Sequence, residues 1–204
     1  YVLAKEYIPD AVQSASRALR NKALFFLAYQ DGGELAKLQV QEALNMTDQL
    51  SAFSTLIKHN PTSENINFFY NQWKHERLVI DKWFSAQVIM AHPNYLNKVV
   101  KNLTDHRDFS LKTPNRIRSV LGAFSANTAG FHQKNGENYE LFSDWILKVD
   151  PINPQVAARM CSAFETWKRY DVNRQKLIKM QIDKILEANT ISKDTKEMLT
   201  RLVS

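Results

Sequence analysis

Few residues of this 204-residue chain are placed to do chemistry unaided. The nearest approach to a metal-binding helix is His75-Glu76-Arg77-Leu78-Val79. Two imidazoles at i and i+4 share one helix face and can hold zinc with the glutamate as base. Val79 stands where the second imidazole is needed, and it cannot ligate. His59, His92, His106 and His132 are dispersed and read as solvated residues in loops or at helix ends. No Gly-x-Ser-x-Gly elbow occurs, and Gly32-Gly33 lacks the Lys-Ser/Thr of a phosphate loop. Cys161, the single cysteine, lies between Met160 and Ser162 in an apolar stretch, the setting of a buried inert thiol rather than a nucleophile. It has no internal disulfide partner, and no Cys or His cluster has structural-zinc spacing. The residues therefore predict no catalytic residue and no metal ligand within this chain.

Side chains that could bind rather than react are easier to find. Arg116 and Arg118 lie near the start of a segment that is otherwise apolar at Ile117, Val120 and Leu121. A guanidinium held on a helix can grip carboxylates or carbonyls through its planar fork, and two solvated charges fit the pattern as well. Arg159 follows Gln155 by one helical turn, so an amide and a cation share a face, again compatible with plain surface. Tyr70, Trp73, Trp83 and Phe84 recur at helical spacing, which reads as core packing before it reads as a ligand platform. Lys168, Arg169, Arg174, Lys176 and Lys179 could form an RNA-binding face, but such runs are usually a solvated helix side. The sequons Asn45-Met46-Thr47 and Asn102-Leu103-Thr104 carry meaning only in a secreted protein.

What must position these groups is a set of helices. Hydrophobic content of 44% with 24% charged residues describes a globular chain, and 5 glycines with 6 prolines leave few enforced turns. Pro9, Pro61, Pro93, Pro114 and Pro154 each precede or open an apolar-periodic segment, where the missing N–H costs nothing. Asp10, Thr47, Ser63, Asn94, Asn153, Asp171 and Ser192 are candidate N-caps. The spacing predicts a first helix over about 9–29 that buries Ala11, Ala15, Ala18, Leu19, Leu24, Phe25 and Leu27. Further helices follow to 192–202, among them 155–167 and 172–186, with a polar loop over 127–137. About ten to twelve helices with short joints imply antiparallel neighbours. No strict repeat is visible, so the expected fold class is all-α: one domain, an irregular superhelix of antiparallel helix pairs of the HEAT/armadillo kind.

Net charge is +6 with both signs scattered, which argues against a nucleic-acid partner. No apolar run reaches the ~20 residues that cross a bilayer. The opening Tyr1-Val2-Leu3-Ala4-Lys5-Glu6 has neither initiator methionine nor signal-peptide pattern, so the chain is expected to begin inside a longer polypeptide. The lone cysteine favours a reducing, cytoplasmic setting.

Three strings in order, Leu44-Asn45-Met46-Thr47-Asp48, Ile80-Asp81-Lys82-Trp83-Phe84 and Thr113-Pro114-Asn115-Arg116-Ile117-Arg118-Ser119, resemble the C-terminal helical domain of bacterial aminopeptidase N. Ala18-Leu19-Arg20-Asn21, Gly122-Ala123-Phe124, Phe131-His132, Asn153-Pro154-Gln155-Val156-Ala157 and Lys168-Arg169-Tyr170-Asp171 extend the resemblance along the chain. Each string is unspecific alone, and the order carries the match. The resemblance implies a helical domain that closes over the active site of a zinc-dependent peptidase and limits entry to peptides. It implies that Arg118, Gln155 and Arg159 line the substrate cavity. The catalytic residues, the zinc cofactor and two β domains would belong to other parts of the parent polypeptide, with which this domain would associate. A stand-alone helical scaffold for protein interaction is the alternative.

Overall fold

A computed structural model describes residues 7–204, so the opening six residues, read above for a leader, lie outside the described part. Among the described residues every regular element is helical. The chain divides after Met90 into two compact units.

The first unit holds α1 (Ala11–Asp31), α2 (Glu34–Glu42), α3 (Met46–His59), α4 (Ser63–Trp73) and α5 (Arg77–Met90). Helix α1 begins at Asp10, whose carboxylate accepts the Gln13 N–H at 2.7 Å. It ends at Gly32, where φ of +67° demands a residue without a side chain. Of the apolar residues expected on its buried face, Leu24 is buried and Phe25 half-buried, but Leu27 is exposed. Arg17, Asn21, Leu24 and Ala28 point inward, whereas Ala11, Ala15, Ala18 and Leu19 face solvent. Val12 and Leu19 are 76% and 74% exposed.

The cause is a buried carboxylate. Asp48 is 2% exposed, and an unpaired charge there would cost several kcal/mol. Arg20 Nη2 donates to it at 2.6 Å, Asn21 Nδ2 at 2.9 Å and Asn45 Nδ2 at 2.8 Å. Gln39 Nε2 joins by donating to Asn21 Oδ1 and to the Asp48 carbonyl, both at 2.8 Å. This network fixes the rotation of α1 against α2 and α3, and it unites two of the ordered strings. Asn45 also caps α3 by accepting the Asp48 N–H, a role expected of Thr47. Likewise Thr62, not Ser63, caps α4.

Of the aromatic stripe, Tyr70, Trp83 and Phe84 are core and Trp73 is half-buried. Phe53 stacks on Phe69 with centroids 4.4 Å apart, and Trp83 meets Phe84 edge-on at 4.9 Å. The indole N–H of Trp83 donates to the Ile66 carbonyl, and that of Trp73 to Gln49 Oε1. Both polar tips are thereby satisfied inside an apolar setting.

The second unit holds α6 (Leu96–Thr104), α7 (Pro114–Ile117), a π-helical turn (Arg118–Gly122), α8 (Ala123–Ala126), α9 (Thr128–Phe131), α10 (Glu137–Val149), α11 (Pro154–Cys161), α12 (Val172–Leu186) and α13 (Lys193–Val203). A 3₁₀ turn over Pro93–Tyr95 precedes α6, with His92 rather than Asn94 as its cap. Helices α10 and α12 pack together, as do α11 and α13, so neighbours alternate as in stacked helical pairs. Where a polar loop is expected, Asn127 caps the short α9 and Phe131 is fully buried, packing edge-on against Phe124, Tyr139 and Phe142. The segment expected as one helix to Trp167 instead leaves α geometry at Cys161 and continues in 3₁₀ turns over Ser162–Phe164 and Trp167–Arg169. Asp150, also 2% exposed, accepts hydrogen bonds from Ser192 N, Ser192 Oγ and Thr195 Oγ1 at 2.7, 2.6 and 2.5 Å. That carboxylate ties the end of α10 to the start of α13.

Candidate functional site

The second unit contains a cavity of about 450 Å³ whose wall includes Arg118, Gly122, Gln155, Arg159 and Met160. The structure thus brings together the three residues that the resemblance implies line a cavity, one from the π turn and two from α11. Pro114 and Asn153 stand at the N-terminal ends of the two helical segments that line it. Pro114 presets the first helical φ of its segment, and Asn153 Oδ1 accepts the Val156 N–H at 3.1 Å, so both local starts follow from residue type.

Arg116 and Arg118, two residues apart, have different fates. Arg116 is buried and its Nη1 donates to the Asp108 carbonyl at 2.9 Å, anchoring the segment. Arg118 is exposed at the cavity and opens the π turn, in which its carbonyl accepts the Ala123 N–H five residues on. Such turns are rare and recur at functional sites. Gln155 and Arg159 lie one turn apart on α11, and both line the cavity.

A second, more open depression of about 390 Å³ adjoins Gln155 and Arg159 on α11 and Asp194, Glu197, Met198 and Arg201 on α13. Sequence reasoning missed it, because α13 lies more than thirty residues beyond α11 and only packing brings the two together. Gln155 and Arg159 therefore border both hollows.

His132 was expected to be a solvated histidine and is not. Its Nδ1 lies 2.9 Å from the Tyr139 hydroxyl and its Nε2 2.8 Å from that of Tyr170. Arg174 Nε donates to the His132 carbonyl at 2.7 Å. Burial, then the Arg174 charge, pushes the imidazole down to about 4, and burial pushes the Tyr139 phenol up to about 12. A neutral ring held between two tyrosine hydroxyls is a structural clasp. Cys161 is buried, its thiol pushed up to about 12 chiefly by burial, as its apolar neighbours imply. Of the basic run, Arg174 is paired with Asp171, and Lys179 with Asp183 at 2.7 Å.

The His75–Val79 pentapeptide supplies no zinc donor set, since Val79 remains apolar in any geometry. Among the described residues no group of three or more His, Cys, Asp or Glu side chains could hold a metal ion. No helix among them is long and apolar enough to cross a membrane.

The chain is similar to known proteins over nearly its whole length. The chain is 34% identical to aminopeptidase N of Haemophilus influenzae over 205 residues, covering 98% of this chain and 24% of that protein. It is 34% identical to aminopeptidase N of Escherichia coli, with 98% and 23% covered. The crystal structure of Legionella pneumophila aminopeptidase A in complex with aspartic acid superposes with a TM-score of 0.89 at 31% identity, over 99% of this chain and 25% of that one. The chain thus spans about a quarter of the length of these relatives. A family profile described as "Domain of unknown function (DUF3458_C) ARM repeats" matches residues 2–204, across both units. The resemblance to the C-terminal helical domain of aminopeptidase N is upheld, and the chain belongs to this ARM-repeat family.

Proposed function

We propose that residues 1–204 are the C-terminal helical domain of a cytoplasmic, zinc-dependent aminopeptidase N that removes N-terminal residues from peptides. In this reading the domain covers the active-site cavity and controls which peptides enter. The observation that carries the reading is the convergence of Arg118, Gln155 and Arg159 on one hollow. Two guanidinium groups on a concave wall attract peptide carbonyls and a terminal carboxylate more strongly than on a convex surface, because the wall displaces screening water. Gln155 can donate to a carbonyl and accept from an amide, which suits a peptide backbone of any sequence. Holding the distant part of a peptide helps to place its scissile bond.

No step of hydrolysis is assigned to this chain, because the donor set among the described residues does not fit zinc. Zinc chemistry belongs to the remainder of the parent, with which this domain associates. The similarity to two aminopeptidases N over a quarter of their length supports that placement.

The test is kinetic. In the complete enzyme, Arg118→Ala is expected to raise peptide KM by about tenfold, as loss of a charged hydrogen bond does. Melting temperature should stay within about 2 °C, because Arg118 is exposed. Unchanged KM on both short and long peptides would refute the cavity role.

A further inference from the structure

Arg118 reaches the cavity from a helix segment whose other arginine is buried and bonded to the Asp108 carbonyl, and one neighbour restrains it. Its Nη1 donates to Asn115 Oδ1 at 3.0 Å, the one hydrogen bond that its guanidinium makes among the described residues. Asn115 sits in the first turn of α7, directly after Pro114, and three residues ahead of Arg118, so the two share a helix side. Its side chain is exposed and bonds to nothing else among the described residues. It is therefore dispensable for packing, which makes its one contact informative.

We propose that Asn115 is a positioning residue for Arg118, holding the guanidinium at the cavity wall by a neutral acceptor so that its full charge remains available to a peptide. The inference rests on the cavity reading given above. The chemistry favours an amide over a carboxylate here. A carboxylate would hold the arginine as firmly and would also cancel the field that the peptide senses. Arginine carries much rotamer freedom, and restraining it before the peptide arrives lowers the ordering cost of binding. The base of the lever is rigid: Arg116 is locked to the Asp108 carbonyl, and the π turn fixes the backbone at Arg118 itself.

The experiment is a double-mutant cycle on the full-length enzyme with a tri- or tetrapeptide substrate, comparing Asn115→Ala, Arg118→Ala and both together. Asn115→Ala should raise KM about two- to fivefold, with kcat within about twofold of the parent. The double variant should be no worse than Arg118→Ala, because a tether without its arginine has nothing to hold. Melting temperature of Asn115→Ala should match the parent. If Arg118→Ala binds peptide normally, the cavity reading falls and this inference falls with it. If Arg118→Ala weakens binding while Asn115→Ala is silent, or adds its effect in full to the double variant, only the positioning role is overturned. A lowered melting temperature in Asn115→Ala with unchanged KM would make the residue structural and overturn it equally.

Discussion

Replacing Asp150 by alanine should loosen α13 from α10 and test whether one carboxylate fixes the wall that carries Asp194 and Glu197. Three donors converge on it: Ser192 N, Ser192 Oγ and Thr195 Oγ1. Hydrogen bonds to an ionised acceptor contribute roughly 1.5–3 kcal/mol each when buried. They are not equal here. Ser192 is half-buried, so its two groups regain water and return most of their share, whereas Thr195 is fully buried and its hydroxyl is stranded. Ser192 Oγ also accepts the Thr195 N–H at 3.3 Å, so losing the carboxylate frees the N-cap of α13 as well. The sum is about 3 kcal/mol. For a chain of this length each kcal/mol moves the midpoint by about 2–4 °C, giving a fall of about 6–12 °C in calorimetry of the 204-residue chain. Amide exchange should accelerate through α13 and leave the first unit's α3 unchanged. Asp150→Asn, which keeps one acceptor, should lose about half as much. A fall below about 2 °C for Asp150→Ala, with α13 exchange unaltered, would refute the reasoning.

Two other outcomes follow from the packing and the titrating groups. Gly130→Ala would set a methyl 2.5 Å from Leu96 Cδ2 and 3.1 Å from Leu96 Cβ, so overpacking of about 1–3 kcal/mol should lower the urea midpoint; an unchanged midpoint would show that Leu96 can move aside. His132 is held down at about 4 against 6.5 in an unfolded chain. Above pH 6.5 neither state is protonated and the clasp contributes in full. As pH falls from 6.5 to about 4 the unfolded chain takes the proton first, so stability declines across that window and levels off below it. The ring is only half withdrawn from water, so the loss should be on the order of 1–2 kcal/mol. His132→Gln should flatten that part of the stability profile, and a profile identical to the parent's would remove the clasp from the explanation.

Local signals carried much of the architecture. Helix α12 runs over Val172–Leu186 as its spacing predicts, and Asp10, Asn153, Asp171 and Ser192 cap where a short acceptor precedes an apolar run. Gln155 and Arg159 could be placed on one face from their spacing alone. Placing Arg118 opposite them required the family resemblance, because no period links a residue on one helix to two on another. The failures share a cause. Helix α1 has apolar residues on both sides, and the choice between them was made by Asp48, nearly thirty residues away. His132 looked solvated because Tyr170 lies 38 residues beyond it. The segment at 127–137 looked like a loop because its polar residues are numerous, while Asn127 and Asn138 spend their amides on the Ala91 and Gly130 carbonyls.

The wide turn at Arg118–Gly122 makes residue number, and not only residue type, a constraint on this stretch. Upstream, Arg116 is pinned to the Asp108 carbonyl; downstream, Phe124 is locked among aromatic rings. A π turn spends about one residue more than an α turn, so excising a single amino acid between them would let the coil tighten to ordinary pitch while the two halves keep nearly the same bearing. The anchor and the ring cluster could then both be kept. The cost of such a deletion should fall on the buried side chains of the turn itself, Ser119, Val120 and Leu121, whose directions change as the coil tightens.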